Sequence, residues 1–421
     1  MSIERILSEV PVPDVVRVRQ SFPRPVVEDV AAELRTRLRE SGMLRALRRD
    51  DTVALGVGSR GISQLPLLVR TLVAEIEVLG AKPFIVPSMG SHGGANSAGQ
   101  VEVLQSLGVS EASVGAPIRA TMDVLEIGRT PAGLPAYLDA YAHEANAIVV
   151  LNAVKPHVAF RGAFESGLLK MIAIGLGKQR GADVCHDLGF GHMAENVQAI
   201  ARVTLSAANV LGGVGVLENA YGETCQVAAL PGHAIEAEEP ALLERARELA
   251  PRLHFERLDV LVVDQIGKDI SGTGFDTNVI GRYHTPYASG GPVIGRIAVL
   301  DLSERSGGNA HGIGLADFTT RRAFEKLSFE RTYPNSLTST QPATAKIPMV
   351  LESDLLAIRA AIKTSNLPEK RHVRLARVRN TKELGLIEVS TSLLEEVALH
   401  PHLHPEGEPS PLPFDDAGQL F

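Results

Sequence analysis

The stretch "TVALGVGSRGISQLPLLVRTLVAEIEVLGAKPFIVPS" (residues 52–88) decides the fold. Its opening, "TVALGVGS", is a short apolar run that ends in glycine and serine, which predicts a buried strand. "SQLPLLVRTLVAEIEVLG" predicts a helix, and "KPFIVPS" (82–88) a second strand. Apolar strands separated by a helix pair in parallel, and helices cover both faces of the sheet they form.

The same alternation extends outward. A helix is predicted over "SAGQVEVLQSLG" (97–108), a strand over "NAIVVLNA" (146–153) and an apolar helix over "GAFESGLLKMIAIGLGKQRG" (162–181). A long helix follows over "AENVQAIARVTLSAANVLG" (194–212), then an acidic one over "EAEEPALLERARELAP" (236–251) that Pro251 stops. Residues 251–257 read as a linker between an amino-terminal domain, 1–250, and a carboxyl-terminal domain, 258–421. In the second domain, strands are predicted at "VLVVDQIG" (260–267), "GRIAVLDLS" (295–303), "RHVRLARV" (371–378) and "GLIEVS" (385–390), with a helix at "ESDLLAIRAAIKTS" (352–365). The Pro-rich tail "HPHLHPEGEPSPLPF" (400–414) reads as irregular. The expected fold class is α/β, with two domains that each carry a largely parallel or mixed sheet flanked by helices. The active site is expected in the cleft between them.

Composition narrows the functions. The chain has 421 residues, 44% hydrophobic and 22% charged, as in ordinary globular proteins. A net charge of −7 and 4% aromatic residues argue against nucleic acid as a partner. Two cysteines, Cys185 and Cys225, do not make a disulfide framework. No secretory pattern opens the chain and no run of 18 apolar residues occurs, so no membrane partner is expected and the cytoplasm is the expected location.

Chemistry-bearing residues follow the strands. Arg60 follows the first strand, His92 the second, His157 "IVVLNAVKP", and Gln265 and Lys268 follow "DVLVVD". In open parallel sheets, ligands bind outside the carboxyl ends of strands. Arg, His, His, Gln and Lys together suit an anion that is bound and turned over. "GVGSRG" and "SMGSHGG" let a ligand approach the backbone, but the chain has no P-loop and no dinucleotide fingerprint. "CHDLGFGH" (185–192) has no zinc-site spacing. Lys170 lies in an apolar helix. A lysine whose stem is buried and whose head reaches water, and a desolvated amine ready to attack a carbonyl-type carbon, are equally supported there.

In order and spacing these residues resemble the nickel-dependent lactate racemase family. The resemblance rests on Arg60 after the first strand, "GSH" with His92, "PH" with His157, "ESGLLKMIAIG" with Lys170, His186 sixteen residues after that lysine, and "QIGK" with Gln265 and Lys268. It implies a nickel-pincer nucleotide attached covalently at Lys170, with His186 as the protein's nickel ligand and Ser59 and Arg60 among the cofactor contacts. It implies His92 and His157 as an acid/base pair on opposite faces of a 2-hydroxy acid. Arg60, Gln265 and Lys268 would bind the substrate, and cofactor-biosynthesis proteins would be partners.

The chain departs from the family pattern at Val57, where the racemases have Asp, and at Glu165, in place of the first residue of "SGG". The loops 269–282 and 307–318 are more polar than lactate requires, so the resemblance leaves the particular 2-hydroxy acid open. Two readings of other classes stand beside it. One is a metal-dependent lyase or hydrolase whose histidines are direct ligands. The other is a non-catalytic carboxylate or nucleotide binder.

Overall fold

The structure, a computed structural model, describes residues 2–59 and 61–420. The chain divides into two compact units. One is Arg24–Ala250; the other joins the segment up to Pro23 with that from Pro251 onward. The first strand, β1 (Val15–Gln20), therefore does not belong to the unit that follows it, as an amino-terminal domain of 1–250 would require.

The unit Arg24–Ala250 carries β2 (Thr52–Val57), β3 (Lys82–Pro87), the hairpin β4 (Val124–Arg129) and β5 (Pro135–Asp139), β6 (Ala147–Ala153), β7 (Val210–Glu218) and β8 (Thr224–Pro231). Its five-stranded sheet has the order β3-β2-β6-β7-β8. All neighbours are parallel except β7 and β8. The apolar strand runs reflect burial on both faces. Val53, Leu55 and Val57 join one core with the helices Val30–Ser41 and Leu65–Val78. Ala54, Ile148 and Val150 join the other, with Met193–Ala207 and Ile235–Leu249. Side chains alternate between the cores with the two-residue period of a strand.

The helix expected over 194–212 ends at Ala207, and the rest of it turns into β7. Within β7, Gly212 lets the strand run close to β8: a Cβ there would lie 2.1 Å from the Leu230 carbonyl oxygen. The helix expected over 162–181 is also broken up. One α turn, Leu168–Lys170, leads into a π turn, Met171–Gly175, and then into the α-helix Lys178–His186.

The other unit holds β1 together with β9 (Arg257–Ile266), β10 (Val293–Leu302), β11 (Phe318–Thr320), β12 (Met349–Leu351), β13 (Leu375–Val378), β14 (Leu386–Ser390) and β15 (Leu403–Ser410). They form one mixed sheet, β12-β11-β10-β9-β13-β14-β1-β15, parallel from β12 to β13 and antiparallel beyond. Val260, Val262, Ala298 and Leu300 pack with Ala357, Ile358 and Ala361 of the helix Asp354–Lys363. The Pro-rich tail is not irregular, since β15 lies within it. It pairs with β1 at the sheet edge, where a strand tolerates the missing N–H of proline. No helix among the described residues is long and apolar enough to cross a membrane.

Candidate active site

In the unit Arg24–Ala250 the chain runs from β2 to β3 on one side, and β6 then takes β2's other side. Loops from β2 and β6 therefore diverge at a topological switch point, where open α/β sheets bind ligands. Ser59 lies just past the end of β2, His92 past β3 and His157 past β6. Arg60 lies outside the described residues.

Ser59 Oγ is hydrogen-bonded to His92 Nδ1. The loop carrying His92 is held from behind. Gln100 Nε2 donates to the carbonyls of Gly90 at 2.9 Å and His92 at 3.3 Å. Gln100 in turn accepts from Lys178 Nζ at 3.0 Å. Lys178, fully buried, also donates to the Pro87 carbonyl and pairs with Asp139 at 3.1 Å. Two hydrogen-bond acceptors and one carboxylate at ion-pair distance thus surround the ammonium. Burial lowers the pKa of Lys178 and raises that of Asp139, against their mutual attraction.

A second group gathers around Lys170. Its Nζ lies 2.6 Å from His157 Nε2 and 5.8 Å from the centroid of the buried Phe160 ring. Phe160 packs on His157 at 4.5 Å between centroids, and Phe190 lies 5.4 Å from His186 and 6.3 Å from His157. Lys170 is close enough that its positive charge, after burial, helps push the His186 pKa down to about 4. The His186 ring is neutral at ordinary pH, and its Nδ1 is buried without a hydrogen-bond partner among the described residues. A neutral imidazole nitrogen left without a partner suits a metal ligand. An amine beside it suits a covalent attachment. These residues fit a metal-bearing cofactor tethered at Lys170. Cys185 is buried, and burial pushes its thiol up to about 12, which keeps it protonated and inert.

Two buried carboxylates that sequence reasoning did not place hold this group. Glu165 is 1% exposed. It accepts the His157 backbone N–H at 2.6 Å and the Gly162 N–H at 3.2 Å, and it pairs with Arg247 and Arg161. Its departure from the family pattern thus has a local role in shaping the His157 loop. Glu239, also 1% exposed, accepts the Leu169 N–H at 2.9 Å and caps the turn that carries Lys170. Its sequence signal was the spacing Ile235, Glu239, Leu242, Leu243, Ala246, which puts it on the buried face of an acidic helix. The π turn connects the two groups. Gly175 O accepts the Gly90 N–H at 3.3 Å, and a Cβ on Gly58 would lie 2.9 Å from Met171 Cε.

Gln265 and Lys268 belong to the other unit, at the end of β9 and just beyond it. Lys268 Nζ donates to the Gly272 carbonyl at 2.6 Å. The polar residues of 269–282 largely serve their own loop. Asp269 accepts from Ser303 Oγ at 2.5 Å, Thr273 donates to the Phe275 carbonyl at 2.7 Å, and Asp276 accepts from Asn278 N at 2.8 Å. In 307–318, Asn309 binds the Arg331 carbonyl, His311 contacts Ser336, and Asp317 pairs with Arg282. Among the described residues, no group of three or more His, Cys, Asp or Glu side chains is arranged to hold a metal ion unaided.

No family model matches the chain, and no curated protein matches it. Among solved structures it is similar to the lactate racemase apoprotein from Thermoanaerobacterium thermosaccharolyticum. That match covers 88% of this chain and 99% of the other, with a TM-score of 0.53 and 12% sequence identity. The two chains share a fold.

Proposed function

We propose that the protein is a racemase or epimerase of a 2-hydroxy acid, working with a nickel-pincer nucleotide attached at Lys170. The observation that carries this reading is the grouping of His157, Lys170 and a neutral, buried His186 at the carboxyl edge of the sheet. The fold shared with a lactate racemase apoprotein supports it.

Lys170 and His186 would hold the cofactor, with Ser59 and Arg60 as further contacts. When bound, such a cofactor takes up and returns the α-hydrogen of the substrate as hydride. That relieves the protein of abstracting a weakly acidic C–H beside a carboxylate. What remains for its side chains is the hydroxyl proton. His92 and His157, on separate loops, take it on one face and return it on the other, and imidazole serves as acid and base near neutrality. Ser59 fixes the orientation of the His92 ring. Arg60 and Lys268 would bind the carboxylate, and Gln265 would orient it; for Lys268 this means exchanging its bond to Gly272.

The test is a panel of single-enantiomer 2-hydroxy acids offered to protein co-produced with cofactor-building enzymes and read by chiral chromatography. Inversion at C2 that retains an α-deuterium label is expected. Loss of the label to solvent on every turnover would reject hydride transfer. Inversion that survives His92→Ala and His157→Ala would reject the acid/base pair.

A further inference from the structure

The chain crosses between its two units after Pro23 and again after Ala250. The segments beside these crossings, 20–22 and 252–254, are tied to each other. The buried Gln20 side chain donates to the Arg252 carbonyl at 3.4 Å and accepts the His254 backbone N–H at 3.1 Å. His254 Nε2 donates to the Ser21 carbonyl at 3.3 Å, and the Phe22 ring stacks on the imidazole at 5.0 Å between centroids. A third segment, just ahead of β15, closes on both. The Ser21 N–H donates to the His402 carbonyl at 2.9 Å, and Ser21 Oγ lies 3.3 Å from His402 Nδ1. Three imidazoles meet there. The His254 centroid lies 4.9 Å from that of His400 and 5.5 Å from that of His402, and those two are 5.8 Å apart.

The hydrogen bonds fix where a further proton would go. The His402 backbone N–H donates to His400 Nδ1 at 3.2 Å, so that nitrogen carries no proton. His254 spends its Nε2 proton on Ser21, so a second proton goes to Nδ1. Burial lowers the His254 pKa to about 4 from 6.5, and His400, Arg252 and His402 add to it against the Ser21 carbonyl. The surrounding charges are few. Arg252 is on His254's own segment, Arg19 of β1 pairs with Glu406 of β15, and Arg374 pairs with Glu396 at 2.5 Å. Arg374, Glu395 and Glu396 line a cavity of about 340 Å³ together with His400. We propose that His254, His400 and His402 form an acid-released clasp, which ties both crossings to the segment 400–403 at neutral pH and frees that segment on acidification. A proton that His400 takes from solvent sets an N–H against the His402 N–H and breaks their bond, and Glu395 and Glu396 offer the charged ring carboxylates to turn to. A proton on His254 sets a cation beside Arg252 and two further imidazoles. The sign follows from His254. The closed clasp is complete above about pH 6.5 and weakens about tenfold per pH unit as pH falls toward about 4. The clasp is independent of the proposed reaction.

The test is hydrogen–deuterium exchange of the full-length protein at about pH 7.5 and about pH 5, read by mass spectrometry of peptides. Each rate is divided by that of the same peptide when unfolded at the same pH, and the amides of β9 report the fold as a whole. Relative to β9, protection of the Ser21, His254 and His402 N–H groups should fall at least about tenfold at the lower pH. The double variant His254→Phe, His400→Asn removes two of the titrating rings. Phenylalanine keeps a ring on Phe22, and asparagine accepts a backbone N–H two residues on. The remaining ring, His402, faces a hydroxyl that can donate or accept, so either of its states is tolerated. In the double variant, protection relative to β9 should be the same at both pH values. Protection that does not move in the parent protein overturns the proposal without recourse to any variant. So does a fall of the parent's size in the double variant with β9 still protected.

Discussion

Replacing Glu239 with glutamine tests how the turn bearing Lys170 is anchored. Burial raises the Glu239 pKa to about 7 from 4.5, although the N–H groups of Leu169 and Leu168 favour its charged form. The group is therefore harder to ionise in the fold than in the unfolded chain. Below about pH 4.5 it is protonated in both states and its contribution to stability is complete. Between about 4.5 and 7 the unfolded chain releases the proton and the folded chain keeps it, so stability falls as pH rises and levels off above 7. At about 1.36 kcal/mol per pH unit, the whole fall is about 3 kcal/mol, most of it between pH 5 and pH 8. Glutamine keeps the shape and one acceptor but cannot ionise. Its amide N–H group faces a backbone donor where the second oxygen stood, which costs about 1 kcal/mol. Glu239→Gln should be the less stable protein at pH 5 and the more stable at pH 8. The difference between the two proteins should change by about 2–3 kcal/mol in the variant's favour. Urea unfolding followed by circular dichroism at the two pH values measures it. Asp264, raised to about 6, and His254 and His284, lowered to about 4, titrate in both proteins and drop out of the difference. A difference that does not move with pH would show that the carboxylate is ionised in the fold, and the argument from burial would be wrong.

A Cβ on Gly167 would sit 1.7 Å from Glu239 Oε1, so Gly167→Ala should expel the cap and cost about 1–3 kcal/mol in thermal unfolding. Lys178→Met strands Asp139 in the core and should cost about 3–5 kcal/mol, while adding Asp139→Asn should recover part of the loss. Equal melting temperatures in the single and double variants would remove the ion pair from the account. Lys170→Ala should carry no covalent cofactor when co-produced with cofactor-building enzymes, and an adduct in its intact mass would displace the attachment point. His186→Ala should lose nickel faster than the parent to a competing chelator, and equal nickel content would end its assignment as a ligand.

The strands that position the site were readable because they are parallel and covered on both faces. Thr52–Val57 and Ala147–Ala153 are apolar at nearly every position. The carboxyl-terminal tail was not readable in the same way. Its strand pairs with residues near the start of the chain, and an edge strand leaves no burial pattern when most of its side chains are exposed. In the site, Lys170 and His186 stood out as polar residues in or beside an apolar stretch. Glu239 did not, because its neighbours Glu236 and Glu238 made the whole segment look solvated, and only the helical period separated the buried acid from the others. Lys178 was hidden for a related reason: the partners that make a buried ammonium tolerable come from Pro87, Gln100 and Asp139, far away in sequence.

The π turn at Met171–Gly175 closes with the Leu176 N–H bonded to the Met171 carbonyl at 2.9 Å, five residues back rather than four. In genetic terms, such a turn is an α-helix with one codon inserted. Removing one codon from 172–174 would let the turn relax to the α form, closing in four residues the turn that now takes five, so the helix after it would keep nearly its present facing toward Lys170. His186 and Lys178 would keep their neighbours, and what would be lost is the widened turn itself, which leads into the Gly175 carbonyl that accepts from the Gly90 N–H. A frame-preserving deletion of three nucleotides there is thus a milder change than the same deletion in the regular helix Lys178–His186, where no extra residue absorbs it and all that follows turns by about 100°.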